Sequence, residues 1–375
     1  MNTTLKIAFL PFALLSFVAL SFFFSPVAWG EQATLVKWLK SGAFDRSRTA
    51  DVVSEDCESI TYTGLGKQAR GDVIFIEYGT NADYNTAEKQ VSDGEDRAAI
   101  KSFQTAMEKG KEEWLPWYCT FRIGETNYNI GLAAEAAKAF EDLNNKYPRN
   151  PFYPQVCCYL ADIYMMQGKK DEADAQLKAV AAKANVFQVC WVEKAQVLQG
   201  RLLIAKKQYQ EAIRHLKNIQ GRLTYAPMLS DSRFALGECY ETMGADTKDI
   251  NAYKEASKVF EGIAAELDEN TMGEAYLRIS RILYNTSDYE GAYGFALRAA
   301  FIYTASKAWA DSPNYLKASE GLYYAAKSLF ALFGREKDAA KKDALKLEIR
   351  IVLDLLKSRN YANLPWSTKA LNEIK

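Results

Sequence analysis

The sequence predicts a mostly α-helical protein: an α-solenoid of stacked helical hairpins preceded by a small antiparallel β module. Three observations carry that prediction. A helical signature recurs between residues 80 and 306, a run of β-branched and aromatic segments precedes it, and the composition suits a packed core. The signature is a small residue, an alanine twelve positions on, a bulky apolar residue four later and another apolar residue three after that. Its copies are Ala87/Ala99/Phe103/Ala106, Gly124/Ala136/Phe140/Leu143, Ala161/Ala173/Leu177/Val180, Gly200/Ala212/Leu216/Ile219 and Ser280/Ala292/Ala296/Ala299. A stretched copy, Gly237/Ala256/Phe260/Ile263, carries seven extra residues. A period of about 34 residues built this way marks stacked helical hairpins.

The 375 residues are 49% hydrophobic, and 47 Lys and Arg balance 47 Asp and Glu. A solenoid grows along one axis, so a single elongated domain can absorb most of this length. The balanced charge removes the electrostatic reason to expect nucleic acid.

Residues 1–30 read as a signal peptide. Lys6 precedes an apolar stretch from Ile7 to Phe24, and Ser25, Pro26 and Ala28-Trp29-Gly30 follow. A positive start, an apolar middle and small residues at the cut define a secretory signal, with cleavage expected after Gly30. The expected location is therefore periplasmic or extracellular. An uncleaved membrane anchor is the alternative reading of the same stretch.

Residues 31–79 form the expected β module. Asp51-Val-Val, Ser59-Ile-Thr-Tyr-Thr and Asp72-Val-Ile-Phe-Ile-Glu-Tyr are strand-forming runs separated by Gly64, Gly66 and Gly71. So few strands bury little alone, so the module is expected to pack on the first helical repeat.

Residues 80–312 hold about six hairpins. In the unit at 117–150, a first helix carries Trp117, Ile123 and Gly124, a second carries Ala136, Phe140 and Leu143, and Tyr147-Pro148 stops it. Gly94, Gly168 and Gly244 are placed at the turns between paired helices. Residues 313–375 read as an irregular C-terminal hairpin, Tyr315 to Phe333 and Asp338 to Lys357, with a capping helix from Ser367 to Ile374. A terminal unit needs a polar outer face, and Lys337, Lys341 and Lys342 suit that role.

All six cysteines follow the signal. Cys119, Cys157, Cys158 and Cys190 fall near the beginnings of first helices, where they either cross-link neighbouring repeats or pack as small apolar residues. His215 is the only histidine, which argues against a zinc site or a catalytic triad. Gly64-Leu-Gly66 lacks the third glycine and the strand-to-helix context of a nucleotide loop. No enzyme, metal site or cofactor is expected.

The register resembles the tetratricopeptide repeat. Tyr147-Pro148-Arg149-Asn150-Pro151-Phe152-Tyr153-Pro154, then Leu160-Ala161-Asp162-Ile163-Tyr164 and Gly168-Lys169-Lys170-Asp171-Glu172-Ala173, are similar to repeats of bacterial envelope proteins of the YbgF and BamD type. In that family the first helix of each hairpin lines a concave groove. Carried onto this register, the resemblance implies a partner-binding groove of Tyr118, Phe121, Glu125, Tyr128, Asn129, Gln155, Asp162 and Met165. It continues through Lys194, Arg201, Phe234, Glu238, Arg281, Tyr284 and Asn285. Aromatics, amides and both charge signs suit a protein or peptide of the cell envelope. The same aromatics could instead pack between neighbouring units. The expected function is a non-enzymatic exported scaffold; a self-assembling structural component and a polysaccharide-binding module are the alternatives.

Overall fold

The computed structural model describes residues 31–266, 269–305 and 314–374. The expected signal peptide lies outside the described residues.

Among the described residues, five strands come first: β1 (Glu31–Trp38), β2 (Phe44–Glu55), β3 (Ser59–Tyr62), β4 (Gly66–Ala69) and β5 (Val73–Tyr78). They form one antiparallel sheet in the order β4-β3-β2-β1-β5. The runs named from sequence mark β2, β3 and β5. β1 shows no β-branched run, yet it is the strand that joins β2 to β5, with Leu35 opposite Ile76. Both residues are buried with Ile60 beneath the sheet.

Six hairpins follow: α1 (Ala82–Ser92) with α2 (Asp96–Lys109), α3 (Leu115–Asn129) with α4 (Ala133–Lys146), and α5 (Tyr153–Met166) with α6 (Lys170–Ala181). Then come α7 (Val189–Ala205) with α8 (Tyr209–Gln220), α9 (Ala226–Thr247) with α10 (Ile250–Ala264), and α11 (Glu269–Asn285) with α12 (Tyr289–Ala305). A longer pair, α13 (Tyr315–Arg335) and α14 (Ala339–Leu356), and a short α15 (Pro365–Glu373) complete the stack. Pro116, Pro154, Pro227 and Pro365 open α3, α5, α9 and α15, where a missing N–H costs nothing.

The repeated signature is the packing code. In every copy the alanine and the two apolar residues after it are buried on a second helix. A Cβ added at Gly124 would stand 2.6 Å from the Phe140 ring, and one at Gly237 would stand 2.6 Å from the Phe260 ring. The stretched copy therefore makes the same contact as the regular ones. Its extra residues lengthen α9 and leave the crossing untouched. Ala296, small where other copies are bulky, lets α13 close in: a Cβ at Gly321 would lie 2.8 Å from the Ala296 carbonyl oxygen.

Turns between paired helices use a left-handed residue at Gly94, Gly131, Gly168, Lys207, Lys248 and Ser287. Gly244 is not among them. It is buried inside α9 against Tyr253, and Lys248 takes the turn instead, because α9 continues one turn past the glycine.

The sheet does not pack on the first hairpin alone. It lies across the beginnings of α3, α5, α7 and α9, each of which offers an aromatic or amide residue at its start. Trp114 stacks on Tyr78 at 4.7 Å between ring centroids, and Phe152 meets Phe75 at 5.7 Å. The Gln188 side-chain amide donates to the Val73 carbonyl (3.1 Å), and the Ala226 N–H donates to the Lys40 carbonyl (2.7 Å). One buried network ties the sheet to α3: Arg70 pairs with Glu55 at 2.5 Å, and Tyr78 and Tyr118 both donate to the same carboxylate, at 2.9 and 2.6 Å.

A second tie is titratable. Burial alone would raise the Asp56 carboxyl, but hydrogen bonds from Arg149, Ser59 and the Glu58 N–H outweigh it and hold its pKa at about 2. The ionised form is thus favoured on folding, so the tie is fully present above pH 4 and fades as pH falls toward 2. Arg149 is half-exposed, so solvent screening limits the effect to about 1 kcal/mol. Urea unfolding should show Asp56→Asn destabilised by that amount at pH 6, with the gap shrinking to about a third of that by pH 2.5. A gap undiminished in acid would refute this account.

The C-terminal end departs from expectation. Lys341 is exposed as a capping face requires, but α14 also presents Leu347 and Ile351 at 59% exposure and Leu355 at 43%. The outer face of the last long helix is therefore mixed, not polar.

Candidate functional site

First helices crowd the inside of the curve. Direct contacts join α5 to α7, α7 to α9 and α11 to α13, while no comparable contact joins consecutive second helices among the described residues. The sheet stands along this inner face, and the two enclose a trough.

One part of the trough, a hollow of about 390 Å³, is bounded by Trp38 from β1 and by Tyr128, Gln155, Tyr159, Asp162, Trp191, Lys194, Leu198, Arg201, Met228 and Asp231 from α3, α5, α7 and α9. A neighbouring hollow of about 320 Å³ shares Trp38, Gln155, Tyr159 and Trp191 and reaches Phe44, Arg46, Glu77, Glu88, Arg122 and Glu125. Trp38 is the hinge between them. Its indole N–H donates to the Gly42 carbonyl at 3.1 Å, and its ring lies 5.5 Å from Trp191, 6.0 Å from Tyr225 and 6.1 Å from Phe44. Glu193, buried in α7, accepts from the Thr224 and Tyr225 backbone N–H groups (2.7 and 3.0 Å) and so fixes the loop beneath Trp38.

The residues carried over from the repeat register separate into three groups. Tyr118, Phe121 and Phe234 are buried; Phe121 still borders the second hollow, whereas Tyr118 and Phe234 border neither. Phe121 stacks on Phe152 at 4.1 Å, Tyr118 is clamped by Glu55, and Phe234 packs on Phe260 at 5.9 Å. Phe121 thus packs on the start of the next hairpin, Tyr118 on the sheet and Phe234 on the second helix of its own hairpin.

A second group is charged or hydroxylated and pairs across neighbouring first helices. Tyr159 donates to Glu125 at 3.0 Å, Tyr128 donates to Asp162, and Lys194 meets Asp231 at 2.7 Å. Arg201 lies 3.7 Å from Glu238, which is held by Arg278 at 2.9 Å, and Arg281 bridges Glu241 and Glu320 at 3.2 and 3.4 Å. Partners lie 34 to 40 residues apart, one repeat on. Stacked first helices place equivalent positions side by side, so the groove's charges neutralise one another. Burial, followed by the Asp162 hydrogen bond, raises the Tyr128 hydroxyl pKa, so it stays a donor at all ordinary pH.

The remaining residues are spread out. Gln155 lines both hollows and is half-buried. Met165 packs against the core, Asn129 and Asn285 are exposed at helix ends, and Tyr284 sits under Lys327 at 4.8 Å. The trough also contains Trp38, Tyr159, Trp191, Leu198, Met228 and Asp231, which the register did not select. Tyr159 was legible as one repeat beyond Glu125. Trp38 was not, because it arrives from the sheet.

The six cysteines are free and buried. Burial pushes the thiols of Cys119, Cys157 and Cys190 up to about 12 and that of Cys239 to about 11. The packing alternative therefore describes them. His215 contacts the Gln196 carbonyl at 2.8 Å on the surface. Among the described residues, no group of three or more His, Cys, Asp or Glu could hold a metal ion, and no helix is long and apolar enough to cross a membrane.

A tetratricopeptide repeat-like domain matches residues 125–267. Among solved structures, the chain is similar to a tetratricopeptide repeat protein from Parabacteroides merdae, at 14% identity, over 72% of this chain and 99% of that one, with a TM-score of 0.45. It is similar to the C-terminal part of a TPR repeat-containing protein from Cytophaga hutchinsonii, at 16% identity, 78% and 99% coverage, TM-score 0.44. A third likeness is to pilF of Pseudomonas aeruginosa, at 16% identity, 69% and 97% coverage, TM-score 0.42. No curated protein matches the chain. The hairpin geometry and the domain match give a tetratricopeptide-type α-solenoid, a fold that generally serves protein interaction.

Proposed function

We propose that this protein is an exported, non-enzymatic scaffold that holds a protein or peptide of the bacterial cell envelope in the trough between its sheet and its first helices. The binding is noncovalent and needs no cofactor or nucleic acid. Export rests on the N-terminal signal, which places the protein in the periplasm or outside the cell; the membrane is touched only if that segment stays uncleaved.

The trough is the observation that carries the reading. It runs from Glu88 on α1 to Asp231 on α9. At about 8–10 Å between neighbouring helices, four steps give about 32–40 Å, the length of about 10–12 extended residues. Tyrosine and tryptophan rings supply contact area at low entropic cost, and Gln155 offers an amide to a peptide backbone. Crosslinking in the native envelope, with the partner identified by mass spectrometry, is the test. Recovery of that partner should fall about fivefold or more when Tyr128→Ala and Asn129→Ala are combined; unchanged recovery would clear the trough of involvement.

A second reading, self-association through the end of the stack, draws on the exposed Leu347, Ile351 and Leu355 of α14. Light scattering separates the two, since a monomer at all concentrations removes self-association.

A further inference from the structure

We propose that the hollow walled on one side by Trp38 and Trp191 is an anchor socket for one large, uncharged side chain, aromatic or branched aliphatic, of an extended peptide. This rests on the reading of the trough as a peptide site and specifies what that site selects.

The socket has an apolar floor and a committed rim. Cys158 from α5, Leu198 from α7 and Met228 from α9 are buried at its base, and the two indoles meet in a tilted corner, their centroids 5.5 Å apart. Trp38 is held by its bond to Gly42 and its contact with Phe44, so the wall is preorganised and little freedom is lost on binding. The volume of about 390 Å³ lies within the range of built ligand pockets, about 300–1,000 Å³.

Charge decides what enters. Lys194 is paired with Asp231, Arg201 faces Glu238, and Asp162 accepts from Tyr128. An ionic side chain would have to compete with these pairs, and breaking Lys194–Asp231 or Tyr128–Asp162 would leave a partner alone in a partly buried site. A neutral apolar group meets the floor without disturbing the rim. The same commitment disfavours a sugar, whose hydroxyls need free donors and acceptors where the floor offers carbon and sulfur.

The test is selection of a random twelve-residue peptide library on the full protein, tagged at its C-terminus and purified from expressing cells. Enriched peptides should share one aromatic or large aliphatic residue with uncharged neighbours. Alanine in place of that residue should weaken binding about tenfold or more, as should Trp191→Ala in the protein, with Trp191→Phe restoring most of the loss. A photoreactive group at the anchor position should label fragments containing Trp191, Leu198 or Met228. The alanine scan of the peptide and the labelling use wild-type protein, so they stand even if Trp191→Ala folds poorly.

Enriched peptides with a charged consensus, or anchors that label only α11 to α14, would overturn the socket and leave a peptide-binding trough intact. Failure to enrich any peptide, or Trp191-dependent binding to a glycan array instead, would overturn the peptide reading and the socket with it.

Discussion

Glu55→Ala is expected to destabilise the attachment of the sheet to the helices by about 3–5 kcal/mol, because it leaves a charge buried without its counterion. Glu55 and Arg70 have side chains only 0% and 1% exposed, and the carboxylate is the acceptor for Arg70, Tyr78 and Tyr118 at once. Arg70 would keep its bonds to the Val73 and Asp56 carbonyls but no anion, and its second terminal nitrogen already lacks a partner. Since Tyr118 belongs to α3, the damage crosses from sheet to solenoid. Amide hydrogen exchange should quicken throughout residues 31–79 while α10 to α13 keep their protection. The double change Glu55→Leu with Arg70→Met should recover part of the loss, because it removes both charges together while the Tyr78 and Tyr118 hydroxyls still lose their shared acceptor. Wild-type exchange in the single variant would mean the network holds nothing.

Phe140→Ala should cost about 3–5 kcal/mol, the range for emptying a fully buried aromatic site. The ring is fully buried, stacks on Tyr159 of the next hairpin at 5.1 Å and 7°, and lies on the face of Gly124 within its own hairpin. It therefore fastens one hairpin internally and joins it to the next. Hairpin stacks share stability between neighbours, so urea unfolding should lose cooperativity around α3 to α6 before the rest of the stack. Gly124→Ala tests the same contact from the other side. It drives a methyl group into the ring, and Phe140→Leu should relieve part of that strain. Equal stability of the Gly124→Ala and Gly124→Ala/Phe140→Leu proteins would show that the crossing is looser than the geometry implies.

Much of the fold was legible because helix packing repeats locally. Ala136, Phe140 and Leu143 sit on one face by helical periodicity alone, and a glycine twelve residues before the alanine marks where two backbones meet. The stretched copy shows the strength of the signal: Gly237 still meets Phe260 although α9 is longer. Gly244 shows its limit. A glycine near a helix end looks like a turn, yet whether the helix stops there depends on what packs against it, and Tyr253 packs over this one.

The groove was only partly legible for a related reason. Family register named Tyr128, Gln155, Asp162, Lys194 and Arg201, which the fold brings together around one hollow. It could not say which side chains on those faces were already occupied. Tyr118 is consumed by a carboxylate 63 residues away, and Glu125 by a tyrosine 34 residues on.

By itself, the sequence determined that this chain forms helical hairpins, how they stack, where a strand module precedes them and that its charges balance. These follow from side-chain spacing along one strand or helix, which neighbouring residues set. Only the tertiary structure decided that the sheet spans four hairpins, that Trp38 swings over the inner face to meet Trp191, and that the groove's charges pair with one another. Those outcomes depend on distances between residues far apart in the chain, fixed when the stack curves and the sheet closes on it.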